Sequence, residues 1–402
     1  MILVVLLWCA GLGAAAQFGK ISVIYEDLRA LYGGQGEMAL GLVVSVVGIV
    51  GLVFGTTAGL IVARIGPKRA IVSAMALGAL VSAVEAALPG WPLMILARVA
   101  EGVSHLTIVV VGPVMIAGLA PEARRPFAMT LWSSFFGVTY AVLALVAPPV
   151  LAWGGIPGLF LGHAVWMAVL AAVLALALPA DDAAIPRRIH NILSEHLRIY
   201  ASPRLAAPAM GFCFYTFLYV ACLTLLPPET PLAQRALMAT GMPLISIAVS
   251  LTLGVRLLGR MSAVRLVQWG YAAAIPGFLL LWLGWGQGMA MLAGGLWLSA
   301  ALGIVQGASF ASIPELNAAA EDRAAAAGAI AQLGNLGTTT GTPVLAAVLA
   351  GAGPGAMAVL AALFCGLGIA VHRLQARRRQ PLSTGPPAAC QSRNPPMFQT
   401  VS

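Results

Sequence analysis

An all-helical membrane protein with twelve transmembrane helices in two six-helix repeats is the fold this sequence predicts, and three observations predict it. Of 402 residues, 60% are hydrophobic and only 9% charged, more apolar surface than a soluble fold could hide. Apolar runs of about 20 residues, the length that crosses a bilayer core of about 30 Å, follow one another along the chain. The basic residues collect in alternate breaks between those runs, as they do on the cytoplasmic side of membrane proteins. Alternating ten-residue strands are absent, so the spans are helices and not barrel strands.

Runs bounded by charges, Gly and Pro place the first six helices at roughly 2–24, 38–64, 70–89, 91–119, 126–152 and 156–179. A polar stretch follows, and six more helices are expected at roughly 205–227, 233–258, 263–286, 288–317, 324–350 and 354–373. The chain therefore divides into an N-terminal bundle (1–179), a linker (180–204), a C-terminal bundle (205–373) and a tail (374–402). In the linker, Ile185, Ile189, Ile192, Leu193, Leu197 and Ile199 interleave with Arg187, Arg188, Glu195 and Arg198, a pattern suited to a helix on the membrane surface. The tail after Arg379 is rich in Pro, Ser and Gln and is expected to be disordered. The N-terminus resembles a signal peptide in its apolar start and Ala14-Ala15-Ala16. It lacks a positive leading segment and reads as the first membrane helix, with a short leader expected upstream of Met1.

With both termini in the cytoplasm, Arg64, Lys68, Arg69, Arg124, Arg125, Arg187, Arg188, Arg198, Arg204, Arg256, Arg260, Arg265, Arg323 and the tail arginines fall inside. Only Arg29 and Arg235 fall outside, and Lys20 and Arg98 lie within the membrane. That asymmetry predicts a bacterial-type inner (plasma) membrane protein with an even number of spans. It also disposes of nucleic-acid binding, the habitual reading of a net charge of +9, because the charges form no single patch. Cys9, Cys213, Cys222, Cys365 and Cys390 show no paired spacing, so no disulfide, metal or cofactor is expected.

Enzyme chemistry finds no support. Gly102-Val-Ser104-His105 hints at a serine nucleophile, but neighbouring helical residues point about 100° apart, so this His cannot serve this Ser. There is no H-E-x-x-H, no P-loop, and none of the four aspartates lies mid-membrane.

The two halves echo each other. Arg64 and Arg69 after helix two match Arg260 and Arg265 after helix eight, Glu101-Gly102 matches Gln306-Gly307, and the loop with Glu122 and Arg125 matches the one with Glu321 and Arg323. Two six-helix repeats are a transporter architecture, with a substrate site between them near the midplane. A channel or a non-transporting sensor is the alternative from another class.

Over its helical length the chain resembles the major facilitator superfamily. Gly59-Leu-Ile-Val-Ala63-Arg64-Ile-Gly66-Pro-Lys68-Arg69 is similar to that family's signature between helices two and three, with Ala63 where an acidic residue is usual. The resemblance implies conformational gating by Gly59, Arg64, Gly66, Lys68 and Arg69. Arg98-Val-Ala-Glu101-Gly102 resembles the family's R-x-x-x-G element, whose arginine is linked to proton coupling. Asn335-Leu-Gly337, with Gly341 and Pro343 in helix eleven, stands opposite Gly137 and Pro148-Pro149 in helix five. The antiporter signature of helix five is poorly matched by Ala147-Pro148-Pro149.

Ionisable groups inside a bilayer cost about 2.5–3.5 kcal/mol each on insertion scales, so each should be paired or line a cavity. Lys20, Glu85, Arg98, Glu101, His105 and His163 qualify, with Glu315 near the inner end of helix ten as a gate or a dipole partner for the following helix. Arg98, Glu101 and His105 stand at i, i+3 and i+7 on one face of helix four. The expected site has Lys20, Gln17, Arg98, Tyr215, Tyr219 and Asn335 binding a substrate, and Glu101, His105 and His163 carrying protons. Glu85 and His163 are read as either cavity residues or interhelical partners. Gly48, Gly51, Gly55 and Gly59 form a small-residue face on helix two that admits a close neighbour. The expected activity is alternating-access carriage of a small organic anion with H+, by a monomer in contact with membrane lipid. Efflux of amphipathic compounds is the rival, supported by Trp132, Phe135 and the aromatics of helix seven.

Overall fold

The structure is a computed structural model that describes residues 1–181 and 192–379. Twelve helical spans run through it: α1 (Ile2–Val23), α2 (37–65), α3 (Pro67–Glu85), α4 (Trp91–Leu119), α5 (125–154), α6 (156–177), α7 (Ala206–Glu229), α8 (Leu232–Leu258), α9 (Ala263–Leu283), α10 (Gly288–Leu316), α11 (320–352) and α12 (354–379). There is no strand among the described residues.

Two pairs of spans turn back on themselves without a loop. Helical hydrogen bonding is continuous over Phe135–Ala177, a length of about 65 Å if straight, roughly twice the bilayer core. It is not straight. Gly155 takes φ +61°, a left-handed backbone that glycine adopts without strain, and Pro157 follows it. Thr139 and His163, one on each side of that break, reach adjacent carbonyls of α1, Leu12 and Gly13. The same device ends α11. Gly353 takes φ +79° before Pro354, and Gly341 and Phe364 on either side both lie against Phe217 of α7. The matching Gly-Pro reversals are a further sign of the internal repeat.

The helix starts follow local chemistry. Pro67 stands at the first position of α3, where its missing N–H costs nothing, so α3 begins before the residue 70 expected from hydropathy. α12 continues to Arg379, past the expected end at 373, and the arginines of its last turn suit the negative end of the helix dipole. In the linker a helix covers Ile192–Ala201. Ile185, Arg187, Arg188 and Ile189, also assigned to the surface helix, lie outside the described residues, as does the tail from 380.

The halves meet along α2 and α11. A side chain at Gly41 would strike the Pro343 backbone, one at Gly48 would meet Thr339, one at Gly51 would meet the Asn335 amide, and one at Gly55 would approach Gln332. Ser45 Oγ donates to Thr339 O at 2.9 Å, and Gln332 Nε2 donates to Leu52 O at 2.9 Å. The glycine face therefore serves close packing between the halves. Gly59 is not part of this seam: it has open space around it.

Candidate functional site

α2 is broken where the site needs it. Its segments Glu37–Ser45 and Gly48–Phe54 meet at 63°, and the interruption frees carbonyls that would otherwise bond within the helix. Arg98 of α4 uses them: Nε donates to Val43 O at 3.0 Å and Nη2 to Val44 O at 3.3 Å. Nη2 also donates to Gln17 O of α1 at 2.6 Å. Arg98 is completely buried, as is every charged partner around it.

Those partners form a four-charge cluster. Arg98 Nη1 donates to Glu101 Oε2 and stands 3.5 Å from Glu85 Oε1 of α3. Lys20 Nζ donates to Glu85 Oε2 at 2.6 Å, Glu101 Oε1 at 2.7 Å and Ser82 Oγ at 2.9 Å. His163 of α6 places Nδ1 3.3 Å from Lys20 Nζ and bonds Gly13 O through Nε2, which makes Nδ1 an acceptor in a neutral ring. Lys20 thus faces four acceptors with three protons. Phe160 closes one side, 5.1 Å from Nζ to its ring centroid. Two cations and two carboxylates balance, which is the condition for holding charge in hydrocarbon. Two acceptors are left over: Glu85 Oε1 and Gln17 Oε1 are buried and accept no hydrogen bond.

The predicted residues are therefore only partly gathered. Lys20, Gln17, Arg98, Glu101 and His163 meet inside the first half, Gln17 Nε2 donating to Ser104 Oγ at 2.9 Å. His105 shares α4 with Arg98 and Glu101 but turns away. Its Nδ1 bonds Ala14 O at 2.9 Å and its ring meets the edge of Phe18. Tyr215 and Tyr219 of α7 stack on each other at 5.1 Å in the second half, and Asn335 of α11 bonds Ala331 O in its own helix beside Gly51. The cluster is closed within α1–α4 and α6, so none of its charges opens onto a cleft between the halves. Glu85 and Ser82 of α3 complete it: Glu85, for which the sequence allows a cavity or an interhelical role, is an interhelical partner, and no sequence pattern marks Ser82. The signal that could have found Glu85 is its placement in a long apolar run.

A separate layer joins the halves next to the cluster. Ser22, on the side of α1 away from Lys20, bonds Tyr140 OH of α5 at 3.1 Å and Thr224 Oγ1 of α7 at 2.8 Å. Phe18, Phe136, Tyr140, Phe135 and Trp132 continue from it as a chain of touching rings along α1 and α5.

The signature between α2 and α3 also has a physical reading. Asp181, after α6, accepts from Lys68 N at 2.7 Å and Arg69 N at 3.0 Å, capping the first turn of α3, and Lys68 Nζ donates to Leu178 O at 2.6 Å. Gly66, at φ +94°, leaves the space that this carboxylate occupies. Arg64 is exposed. A carboxylate from the segment after α6 thus serves this signature. Glu315 was expected to serve the helix that follows it. Instead it caps the start of α9, accepting from Ala263 N at 2.5 Å beside the N-cap Ser262, so each half secures its third helix with a distant acid. Asp181→Ala should lower stability by about 1 kcal/mol, with Asp181→Asn retaining much of the cap, measured by thermal unfolding in detergent.

No group of residues that could hold a metal ion occurs among the described residues.

Comparison with known proteins agrees with this architecture. The model of the Major Facilitator Superfamily matches residues 3–342. The inner membrane transport protein YajR of Escherichia coli is 24% identical over 205 residues, which span 49% of this chain and 43% of that relative. The chain thus matches less than half the length of that curated relative. A crystal structure of a bacterial homolog of the human lysosomal transporter Spinster, inward-facing and occupied, superimposes with TM-score 0.72 at 14% identity, covering 94% of this chain and 96% of that one. The E. coli fucose:proton symporter FucP gives TM-score 0.64 at 16% identity, covering 93% and 98%. With twelve spans, an internal repeat and a family match over most of its length, the chain belongs to the Major Facilitator Superfamily and is a multi-pass membrane protein.

Proposed function

We propose that the protein is a proton-coupled carrier of a small organic anion, working as a monomer with both termini in the cytoplasm. The observation that carries this is the closed, electrically balanced cluster of Lys20, Arg98, Glu85 and Glu101. A proton added to either glutamate leaves one uncompensated positive charge in low dielectric. At about 8 Å and an effective dielectric of about 20, that charge attracts an anion by about 2 kcal/mol, or roughly thirtyfold in affinity. Proton and anion therefore bind each other's state of the protein better, which is the thermodynamic content of symport. Lys20 and Arg98 act on the anion through this field, while Gln17, Tyr215, Tyr219 and Asn335 are assigned to the path along the interface of the halves. His163 is assigned to proton exchange with Lys20, and His105 to the step between the cluster and the aromatic chain. The α2–α3 signature, with Gly59, Arg64, Gly66, Lys68 and Arg69, and the Glu315 cap are assigned to gating. That FucP is a proton symporter is consistent with this reading.

A second reading, efflux of amphipathic compounds, is favoured by the chain of rings from Phe18 to Trp132. A thermal-shift screen of purified protein against organic acids, amines and lipophilic cations separates the two. Organic acids should stabilise the wild type, by about 2.7 kcal/mol at a hundred times the dissociation constant, and Arg98→Ala should lose the shift while remaining folded. Shifts from lipophilic cations alone, unchanged in Arg98→Ala, would select efflux.

A further inference from the structure

On the face opposite Met1 and Arg379, a cavity of about 360 Å³ lies between the two halves. The first half contributes Tyr25, Glu26 and Arg29 from the short helix Tyr25–Tyr32, and Glu37 from the start of α2. The second contributes Glu229 at the end of α7 and Trp285 after α9, with Leu225 and Leu349 as an apolar floor.

Its charge is unbalanced. Arg29 is committed to two carboxylates: Nη1 donates to Glu26 Oε1 at 2.7 Å, and Nη2 donates to Glu37 Oε2 at 3.0 Å. Glu229 has no ion pair among the described residues, because Arg235, the nearest cation in sequence, gives its guanidinium to Pro228 O at 2.6 Å and Thr230 O at 3.4 Å. Three carboxylates thus share one guanidinium in the wall. A second observation is independent of that acidity. Tyr25 is 2% exposed and borders the cavity, and its hydroxyl makes no hydrogen bond of normal geometry, the Arg29 guanidinium lying over its ring at 5.5 Å. A buried polar group of this kind costs free energy until something bonds it.

We propose that this cavity is a binding site for a small organic ammonium ion with an apolar body. The ammonium group sits between the Glu229 carboxylate and the Tyr25 hydroxyl, donating to both. Its apolar part lies against Trp285 and the leucines, where the indole face adds a cation–π or stacking contact. The volume suits a ligand of roughly amino-acid size. Because both halves line it, an occupant fastens the face opposite Met1 and Arg379 and favours the arrangement seen here over one in which that face is open. The inference stands apart from the central cluster and does not depend on the nature of the carried solute.

The test is calorimetric titration of the full chain in detergent with phenethylamine, and with phenethyl alcohol and phenylacetate as neutral and anionic analogues. Phenethylamine should bind saturably at one site, and the two analogues should bind at least about tenfold more weakly. Glu229→Gln should weaken the amine by about tenfold, Tyr25→Phe by less, and Glu101→Gln should leave it unchanged. Absence of saturable amine binding, equal binding of the alcohol, or full retention in Glu229→Gln each overturns the proposal. Loss in Glu101→Gln also overturns it, by placing the ligand at the central cluster. Thermal unfolding of each variant confirms that it is folded.

Discussion

Glu101→Gln is expected to convert a proton-driven carrier into an exchanger. The amide has the shape of a protonated carboxyl and can still receive Lys20 through its oxygen; its NH2 group cannot accept from Arg98, so that one contact is lost while Arg98 keeps its three backbone carbonyls and the charge is fixed at one excess positive. In the wild type, anion binding should tighten as pH falls, because protonation creates the excess charge; the limit is roughly thirtyfold. In Glu101→Gln that pH dependence should be lost and affinity held at its acid-limb value. Exchange of labelled for unlabelled solute should persist, whereas accumulation driven by a pH gradient should fall by at least about tenfold. Solute binding measured across pH, beside uptake and exchange in proteoliposomes, reads all three quantities. Retained proton-driven accumulation would remove Glu101 from the coupling step.

The second large effect is energetic. Lys20 is the cation on which Glu85 and Glu101 converge, at 2.6 Å and 2.7 Å. Lys20→Met removes it and leaves two carboxylates facing one guanidinium with no water to solvate the difference. Breaking a buried pair in this way costs about 3–5 kcal/mol. Adding Glu85→Leu restores the balance around Arg98 and Glu101, so the double variant should recover most of that loss. Thermal unfolding of the wild type, the two single variants and the double variant gives the coupling directly. Additive losses would show that the two residues are not partners in the folded protein.

The twelve spans were legible because hydropathy and the bilayer's thickness constrain the same length. Even the reversals at Gly155 and Gly353 could be placed, since the apolar runs on either side are each one bilayer long. The site was legible only along α4, where helical spacing brings Arg98 to Glu101. His105 at the next turn fits the same spacing, yet its ring goes to Ala14 O, because periodicity gives direction about an axis and not the partner that waits there. The rest of the cluster depends on which helices pack together. Lys20 meets Ser82 and Glu85 across more than sixty residues of sequence, and no local pattern encodes that contact. The interruption of α2 was equally hidden. Ser45, whose Oγ bonds Gly41 O one turn back, and Gly48 flank the break, but neither residue foretells a bend of this size or that Arg98 bonds the carbonyls it exposes. Asp181 shows the same limit: the acid that caps the start of α3 lies more than a hundred residues further on.

The measurement that tests the central claim most directly is proton movement accompanying solute. Proteoliposomes loaded with a trapped pH-sensitive dye, and given an inward gradient of the organic acid found by thermal shift, report it without an imposed driving force. Lumenal acidification in the wild type, absent in Glu101→Gln liposomes that still exchange labelled solute, is the predicted result. Solute entry at full rate with no change in lumenal pH would contradict the account and leave the four-charge cluster as a structural element alone.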